Sequence, residues 1–457
     1  MSFDPHFAPD GASTRSLLPI AKPAFKKWLA EQPESRQAWI ASSGFTAEPG
    51  SLLLLPDDGG ALYGWDKSDF WSFAALPGKL PAGNWQIALT LPADQANNAA
   101  LAWGLGNYAF TRFKSKPGKE AKPRLAWPAA ADRAHVSRLM DGMALARDMI
   151  NTPANVMGPT ALAATAEEVA KTYGAEFRVI VGDELLTENY PTIHAVGRAA
   201  ADAPRLIDLR WGPEDAPKLT LVGKGVCFDS GGLDLKSSAN MKLMKKDMGG
   251  AAIVLGLART IMDAGLKLRL RVLIPAVENA VSGNAFRPLD IITTRKGMTV
   301  EIGNTDAEGR LILCDALAEA DREKPDLLLD LATLTGAARV ALGPDLVPVY
   351  TADEGLAGEI LAAGERENDP FWRMPLWKPY RRMLDSKIAD INNASDSTHA
   401  GSITAALFLQ EFVSPNTLWA HFDVFGWNPA PKPGRPEGGE AMALRALFSM
   451  IRQKFSV

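Results

Sequence analysis

The amino-acid sequence predicts an α/β protein: a smaller α/β N-terminal domain, then a larger domain with a mixed, mostly parallel sheet and helices on both faces. Three observations lead to this prediction. The chain has 457 residues, 47% of them hydrophobic, which is enough for two substantial cores. Beyond about residue 130, helical and strand patterns alternate to the end, which is typical of helices covering both faces of a mostly parallel sheet. Before that point the composition differs, because seven of the twelve tryptophans lie there.

The first segment, residues 1–128, is predicted to be the smaller α/β domain. Short apolar runs and amphipathic runs alternate in it with Gly-, Pro- and Asp-rich turns at 57–60 and 81–84. The predicted elements are strands at 51–55 and 85–89 and helices at 24–31 and 94–108. The seven tryptophans are expected to fill the core of this domain, although a ligand-binding platform is the alternative. They are Trp28, Trp39, Trp65, Trp71, Trp85, Trp103 and Trp127.

A polar, basic and proline-bearing stretch, residues 113–124, follows these elements. It is predicted to be a linker or a long hairpin, with its charges in solvent. The second domain, residues 129–457, then begins with a connecting segment at 129–151. Within it, residues 131–151 carry one apolar face at helical spacing and predict an amphipathic helix.

The rest of the second domain is predicted to alternate between helices and strands. The pattern places a helix at 160–173 and strands at 176–181, 205–210, 219–222, 268–274 and 327–331. An apolar helix is expected to open at Asp247 and to run to about Gly265.

Two carboxylates lie close together in the octapeptide Asn304–Leu311. A β-branched run at 298–302 precedes it and predicts a strand, and an apolar run at 311–320 predicts a helix after it. A strand that turns into a helix is where open α/β sheets build their sites. Asp306 and Glu308 would repel each other unless a cation lies between them. A solvated acidic turn is the alternative.

A second charged stretch upstream argues against the solvated turn. Residues 222–236 follow a predicted strand and contain several glycines, so the backbone can leave the sheet with unusual freedom. Asp247 follows eleven residues later. The charged residues gathered at these element ends are Lys224, Asp229, Lys236, Asp247, Asp306, Glu308 and Arg310.

These residues carry a resemblance to a known family. The octapeptide resembles the signature of the leucine aminopeptidase (cytosol aminopeptidase) family, which are two-metal exopeptidases. The stretches around Lys224, Asp229, Lys236 and Asp247 match the other blocks of that family in the expected order. So do residues 331–336, 389–393 and 419–423. The resemblance covers roughly residues 130 to 457, and it implies that the N-terminal domain of such a protein serves assembly rather than chemistry.

The resemblance implies a two-metal site. One metal would be held by Lys224, Asp229, Asp247 and Glu308, and the other by Asp229, Asp306 and Glu308, so that Asp229 and Glu308 bridge. The ions would be Zn²⁺ or Mn²⁺, with Mg²⁺ or Co²⁺ as alternatives.

The charges of this ligand set suit two ions. Only carboxylates can bridge and neutralise two dications about 3.5–4 Å apart. Four carboxylates balance two dications if Lys224 is neutral, because an ammonium has no lone pair to donate. Adjacent dications would lower the pKa of Lys224 enough to remove its proton. An ordinary loop lysine is the alternative reading of Lys224.

The resemblance also assigns residues to the substrate. Lys236 would stabilise the oxyanion, and Arg310 would hold a bicarbonate ion that acts as the general base. A salt bridge from Arg310 to Asp306 or Glu308 is the alternative. The remaining substrate-binding residues would be Met244, Asn304, Thr333, Leu334 and Gly336, most of them around the first side chain.

Other residues in these motifs point to no separate site. His421 is expected to be a core histidine on a strand rather than a ligand. Cys227 is a weak ligand candidate because the other proposed ligands are hard. The chain contains no His-Glu-x-x-His, Gly-x-Ser-x-Gly or Gly-Lys-Ser/Thr motif.

The sequence therefore predicts an aminopeptidase that releases Leu- or Met-like N-terminal residues from peptides. A narrow dipeptidase, for instance one hydrolysing cysteinylglycine, and a non-catalytic assembly or DNA-binding paralogue are the alternatives. Residues 395–402 replace the glycine- and arginine-containing turn of the family, which leaves specificity open.

Composition bounds the location and partners of the protein. A formal charge of −4 argues against nucleic-acid binding. The two cysteines, both in apolar runs, suit a reducing cytoplasm. The first residues do not predict a signal peptide, and no apolar run approaches 18 residues. A cytoplasmic protein is therefore expected, and the resemblance implies a homo-hexamer.

Overall fold

The structure of the protein is a computed structural model that describes residues 4–56, 59–116 and 121–455. It forms two compact units, residues 4–141 with 430–437 and residues 142–429 with 438–455. The predicted domain boundary between residues 128 and 129 stays a prediction. Parts of the predicted turn at 57–60 and of the predicted linker at 113–124 lie outside the described residues, as do residues 1–3.

The first unit is an α/β structure. In its described part, five strands form a mostly parallel sheet in the order β2-β3-β1-β4-β5, with β2 and β3 antiparallel. The strands are β1 (Arg15–Ile20), β2 (Leu52–Leu54), β3 (Ala61–Gly64), β4 (Gly83–Ile87) and β5 (Pro123–Leu125). The helices are α1 (Lys22–Ala30), α2 (Glu34–Ser43) and α3 (Ala93–Gly106).

Most of the tryptophans of this unit are in its core, as the sequence predicts. Trp65, Trp71, Trp85 and Trp103 are buried, and the prediction fails for Trp39, which is 44% exposed on α2. A helix of a small domain turns only one face inward, and on α2 the buried position is Ile40.

Helix α4 (Arg133–Asn151) begins two residues after the predicted start and ends at the predicted residue. Near its end, Arg147 is fully buried and forms an ion pair with Glu440 over 3.0 Å.

The second unit is built on a large mixed sheet. Among the described residues this sheet has nine strands, in the order β15-β14-β17-β13-β8-β10-β7-β6, with β9 paired to β10. The strands of the unit are β6 (Glu176–Val181), β7 (Arg205–Trp211), β8 (Lys218–Gly223), β9 (Gly225–Asp229), β10 (Arg269–Asn279), β11 (Ile291–Thr293), β12 (Thr299–Glu301), β13 (Leu327–Ala332), β14 (Val347–Tyr350), β15 (Phe371–Arg373), β16 (Ile391–Asn392), β17 (Trp419–Asp423), β18 (Trp427–Asn428) and β19 (Gly438–Gly439).

The helices of this unit pack against the large sheet in two groups. They are α5 (Pro159–Tyr173), α6 (Glu184–Thr187), α7 (Pro191–Gly197), α8 (Ser238–Met241), α9 (Gly249–Asp263), α10 (Glu308–Arg322), α11 (Gly336–Leu342), α12 (Glu354–Arg366), α13 (Gly401–Gln410) and α14 (Leu444–Phe455). Helix α9 packs with α5 and α14, whereas α10 packs with α7 and α13. The predicted fold class, α/β with a mixed and mostly parallel sheet flanked by helices, is confirmed.

The strand before the octapeptide is present, as predicted, and it belongs to a small separate sheet. The run at 298–302 forms β12, which pairs with β11 and β16 in a small sheet rather than in the large one. A short turn joins β11 to β12 as a hairpin, so their backbone hydrogen bonds are satisfied locally. Hydrophobic pattern reveals a strand but not its partner, so the sequence did not indicate which sheet this strand joins.

Candidate active site

The charged residues converge at one edge of the large sheet. Lys224 directly follows β8, Asp229 ends β9, Thr333 follows β13 and Asp423 ends β17. These strands run parallel to their neighbours within this part of the sheet, so their carboxyl ends meet at the same edge. Open α/β sheets bind ligands at this edge.

Two lysines lie between four carboxylates there. Lys224 Nζ is 2.7 Å from Asp247 Oδ2 and 2.9 Å from Glu308 Oε1. Lys236 Nζ is 2.8 Å from Asp229 Oδ2 and also contacts Asp306. The structure therefore brings all six of these sequence-predicted residues together.

Three of the carboxylates form a compact group. Oxygens of Asp229, Asp306 and Glu308 lie within 4.8 Å of one another. Burial, followed by the negative charge of Asp229, raises the pKa of Glu308 to about 8 and that of Asp306 to about 6. A cation between them would favour the ionised carboxylates and so oppose both shifts.

The lysines respond to the same charges in the opposite direction. Burial alone would lower the pKa of Lys224, but Asp247, Glu308 and Asp229 together raise it above its usual value. Burial and the carboxylates of Asp229, Glu308 and Asp306 act in the same way on Lys236, whose pKa is also raised. The predicted loss of a proton from Lys224 therefore requires the additional charge of two dications.

The carboxylate group fits divalent cations. Glu308 Oε2 is buried and has no hydrogen-bond partner within residues 4–56, 59–116 and 121–455. Buried polar atoms in proteins are normally bonded, so this oxygen has a free position for a ligand. Carboxylate oxygens are the hard ligands that Mn²⁺ and Mg²⁺ prefer, and Zn²⁺ also accepts them.

Backbone geometry keeps Lys224 and Asp229 in place. At Gly309, in the first turn of α10, a Cβ atom would lie 2.5 Å from Lys224 Cε, so only glycine leaves room for the lysine. Gly231 has φ of +90° and donates its N–H to Asp229 Oδ1 over 2.9 Å. Asn279, the last residue of β10, donates to the same oxygen over 2.9 Å.

Asp247 is held from the other side. Its Oδ1 accepts a hydrogen bond from Thr333 Oγ1 over 2.7 Å, in addition to the contact of Oδ2 with Lys224. Burial alone would raise the pKa of Asp247, but the charges of Lys224 and Lys246 lower it overall. The carboxylate is therefore ionised and anchored.

A cavity of about 440 Å³ opens beside these groups. All five predicted metal ligands line it, together with Lys236 and the predicted substrate residues Met244, Thr333, Leu334 and Gly336. Arg310 and Asn304 are not among the described residues that line it. Asn304 is exposed and accepts a hydrogen bond from Asp306 N over 2.7 Å, which shapes the turn.

Arg310 is buried two residues beyond Glu308, in the first turn of α10. Its Nη1 donates to the Asn393 carbonyl over 2.7 Å, and its Nε has no partner among the described residues. Burial lowers its pKa to about 10. The alternative salt bridge to Asp306 or Glu308 is not formed in the part of the chain that the structure describes.

Several residues that shape the site escaped the sequence analysis. Asp423 accepts hydrogen bonds from Leu334 N over 2.9 Å and Thr335 N over 3.1 Å, and so fixes the loop that lines the cavity. Lys246 is 5% exposed and lines the cavity, where burial lowers its pKa to about 8. The sequence offered one signal for each residue. Asp423 is a carboxylate at the end of an apolar strand, and Lys246 is a lysine beside a proposed ligand.

His421 and Cys227 lie outside the carboxylate group. His421 is fully buried on β17, with Nδ1 2.6 Å from Asp330 Oδ1, and is a core histidine as predicted. Cys227 is buried on β9, and burial raises the pKa of its thiol.

Comparison with known families extends these observations. A family model described as "Cytosol aminopeptidase family, catalytic domain" matches residues 144–448, and an aminopeptidase N-terminal domain model matches residues 16–128. A probable cytosol aminopeptidase of Xanthobacter autotrophicus is 38% identical and is aligned over 97% of this chain and 94% of its own length. One from Burkholderia multivorans is 38% identical over 90% of this chain and 89% of its own.

Solved structures are also similar. A cytosol aminopeptidase crystal structure from Coxiella burnetii has a TM-score of 0.94 and 46% identity, covering 99% of this chain and 100% of its own. The bottromycin maturation enzyme BotP, in a complex with Mn, has a TM-score of 0.86 and 34% identity, covering 97% of this chain and 100% of its own. The structural similarity thus extends over both units.

Proposed function

The chain belongs to the cytosol aminopeptidase family and is a metal-dependent aminopeptidase, and from this premise we propose that two divalent ions at the carboxylate group drive release of N-terminal residues from peptides. The observation that carries this proposal is the group formed by Asp229, Asp306 and Glu308, whose oxygens lie within 4.8 Å of one another. Burial and the charge of Asp229 raise the pKa values of Glu308 and Asp306 there, and bound cations would favour the ionised forms of both carboxylates.

The ligands proposed for the two ions are Lys224, Asp229, Asp247, Asp306 and Glu308, with Asp229 and Glu308 as bridges. Two divalent ions bound there would polarise the scissile carbonyl and supply an activated water at neutral pH. The Mn of the BotP complex supports Mn²⁺. Zn²⁺ is the other principal candidate, and Mg²⁺ and Co²⁺ are further ones.

Lys236 is proposed to donate a hydrogen bond to the carbonyl oxygen as it becomes negative. Its side chain is 13% exposed and lines the cavity, so a substrate can reach it. Donors aimed at a developing oxyanion stabilise the transition state more than the substrate. Asp247 is proposed to accept a hydrogen bond from the free α-amino group, which explains recognition of a peptide terminus.

Arg310 is proposed to hold bicarbonate as the general base. Its planar fork suits a bidentate oxyanion, and its unpartnered Nε supports the presence of a further acceptor. The site offers few bases of its own for this role, since the carboxylates are assigned to the ions.

Specificity is proposed to come from Met244, Thr333, Leu334 and Gly336. Met244 offers a soft apolar wall, so Leu or Met is expected to be preferred over Asp or Lys by about 1.5–3 kcal/mol. Asn304 is proposed to contact the substrate beside Asp306, a role compatible with its exposure.

A cytoplasmic homo-hexamer is proposed for the assembly. Large apolar side chains on the second unit support association: Val340 is 85%, Ile388 63% and Trp372 57% exposed. No described helix has both the length and the apolar character required to cross a membrane.

The proposal is tested by comparing free and N-acetylated peptides. With Mn²⁺ or Zn²⁺ added, a Leu-initiated peptide should lose residues one at a time from its N-terminus, and its acetylated form should resist. A panel of aminoacyl reporters with each of the four metals would then rank the first residue. Equal cleavage of the free and acetylated peptides would contradict an aminopeptidase that binds the α-amino group.

A further inference from the structure

A second pair of cations lines the same cavity as the carboxylate group. Lys246 Nζ lies 4.9 Å from the centre of the Phe425 ring, and Arg339 Cζ lies 4.9 Å from the same centre. All three residues line the cavity. The two cationic groups are therefore at most about 10 Å apart, since each is within 4.9 Å of one point.

These cations differ from the lysines of the carboxylate group. Lys224 and Lys236 each contact two carboxylates. Lys246 and Arg339 make no ion pair and no side-chain hydrogen bond to any residue within the described ranges. Each of them instead makes a cation–π contact with the ring of Phe425.

Lys246 is buried without a direct ionic partner among the described residues, and Asp247 and Asp423 act on its charge only from a distance. Only 5% of the Lys246 surface is exposed, so its ammonium has lost most of its contact with water. These distant charges and the cation–π contact offset only part of the cost of burying an ammonium. An anion entering the cavity would supply the partner.

We propose that Lys246 and Arg339 form a subsite that binds a carboxylate of the peptide substrate. Lys246 supplies a buried point charge, and Arg339, which is exposed on α11, supplies a planar fork toward solvent. Phe425 covers the apolar atoms beside the carboxylate. The inference rests on the proposed function, because it assumes that a peptide occupies this cavity.

The carboxylate can come from either of two parts of a peptide. One is the α-carboxylate of a dipeptide or tripeptide, which would make short peptides the favoured substrates. The other is the side chain of Asp or Glu as the first residue, which would widen the preference proposed above from Leu and Met to acidic residues.

Two substrate pairs distinguish these sources. Leu-Ala and Leu-Ala-amide differ only in the α-carboxylate, and the nitroanilides of Glu and Gln differ only in the side-chain carboxylate. The subsite predicts that, in at least one pair, the acid is cleaved with about ten-fold higher kcat/KM than the amide, mainly through a lower KM.

Variants test whether Lys246 and Arg339 produce that ratio. Lys246→Met and Arg339→Met should each bring the ratio toward one. Lys245→Met is the control, because it removes the same charge at the adjacent position. Lys245 does not line the cavity, and its Nζ donates to the Asn151 carbonyl, so this variant should keep the wild-type ratio. Arg339 is exposed, so its variant tests the idea even if Lys246→Met folds poorly.

The same four ligands can also be compared without catalysis. Their affinities, measured by calorimetry on protein whose metal has been removed with a chelator, give the acid-to-amide ratio of binding. No acid preference in either pair, or equal ratios in the Lys246 and Lys245 variants, would overturn the subsite while leaving the aminopeptidase assignment intact. Failure of the metal-loaded protein to cleave any of these peptides would instead contradict the proposed function, and the binding ratios would still decide the subsite.

Discussion

Lys224 and Lys236 look alike in the sequence but have different surroundings in the fold. Lys224 is buried, donates to the Thr333 carbonyl over 2.9 Å and lies between Asp247 and Glu308. Lys236 retains some exposure at the cavity. The enclosed position suits the metal-ligand role proposed for Lys224, and the more open position suits the substrate contact proposed for Lys236.

The first prediction separates the two lysines by substitution. Lys236→Ala should keep both metal ions and lower kcat and kcat/KM together by about 10²–10³, with KM nearly unchanged, because the lost contact forms mainly in the transition state. Steady-state kinetics combined with elemental analysis would measure both quantities.

Lys224→Ala is the matched comparison. It should weaken one metal site, so that excess metal restores part of its rate. Rescue of Lys236→Ala by metal, or a rise in its KM alone, would require the two roles to be exchanged.

The sequence analysis started from residues that carry charge at recognisable spacing, and the family resemblance added the uncharged residues of the cavity. The family resemblance on which they were assigned is confirmed by the family match over residues 144–448. Asn279, Asp423 and Lys246 were not found, because their roles depend on contacts with residues or rings distant in sequence. Asp423, for instance, accepts hydrogen bonds from a loop 88–89 residues away.

Strand ends, rather than any single motif, assemble the site. The ends of β8, β9, β13 and β17 deliver four of its residues, and the end of β10 supports them through Asn279. Asn279 is fully buried, and its Nδ2 donates both to Asp229 Oδ1 and to the Thr305 carbonyl. It therefore joins the end of the large sheet to the turn before α10.

The second prediction concerns this connection. Asn279→Ala should cost about 1–3 kcal/mol of stability, because it removes a buried donor and leaves two acceptors short of a partner. Metal affinity should fall as well, since Asp229 Oδ1 keeps only the hydrogen bond from Gly231 N and is held less firmly.

Urea unfolding and metal titration would measure the two effects. Asn416→Ala, at an exposed turn, is the control and should change stability by no more than about 0.5 kcal/mol. Equal effects of the two substitutions would show that Asn279 does not organise the site.

Secondary structure was predictable where the pattern was long or strongly apolar. Strand β6 matches its predicted range, and α5 begins one residue before its own. Helix α2 was missed because its apolar positions do not form a clear face, and only Ile40 of its ten residues is buried. The partner sheet of β12 depends on tertiary pairing, which periodicity does not encode.

The whole chain is only mildly acidic, yet several of its carboxylates lie together at one site. The formal charge of the chain is −4, and four carboxylates meet around two lysines in the second unit. All described residues that line the cavity belong to that unit. Such a concentration makes the stability of the protein depend on both protons and metal ions.

The third prediction follows from the pKa of Glu308, which burial and Asp229 raise from 4.5 to about 8. The folded protein therefore holds this proton more tightly than the unfolded chain does. The resulting stability is fully present below about pH 4.5 and is lost as the pH rises through about 8. When a chelator removes metal ions, the melting temperature of the wild type should therefore fall as the pH rises over this range.

Glu308→Gln isolates the contribution of this carboxyl group. Its melting temperature should fall less over the same range, and added metal should stabilise the wild type most at the alkaline end, where protons no longer compete. If the melting temperatures of the two proteins fell equally as the pH rises over this range, the assigned pKa shift would be contradicted.

The metal content of the purified protein tests the central claim most directly. Elemental analysis should find two equivalents of divalent metal per chain in the wild type and in Glu437→Gln, an exposed control with the same chemical change. Asp229→Asn and Glu308→Gln remove proposed bridging ligands, so both should lose metal and activity together while keeping their fold. Two full equivalents in both bridging variants, with the fold intact, would contradict the two-metal site.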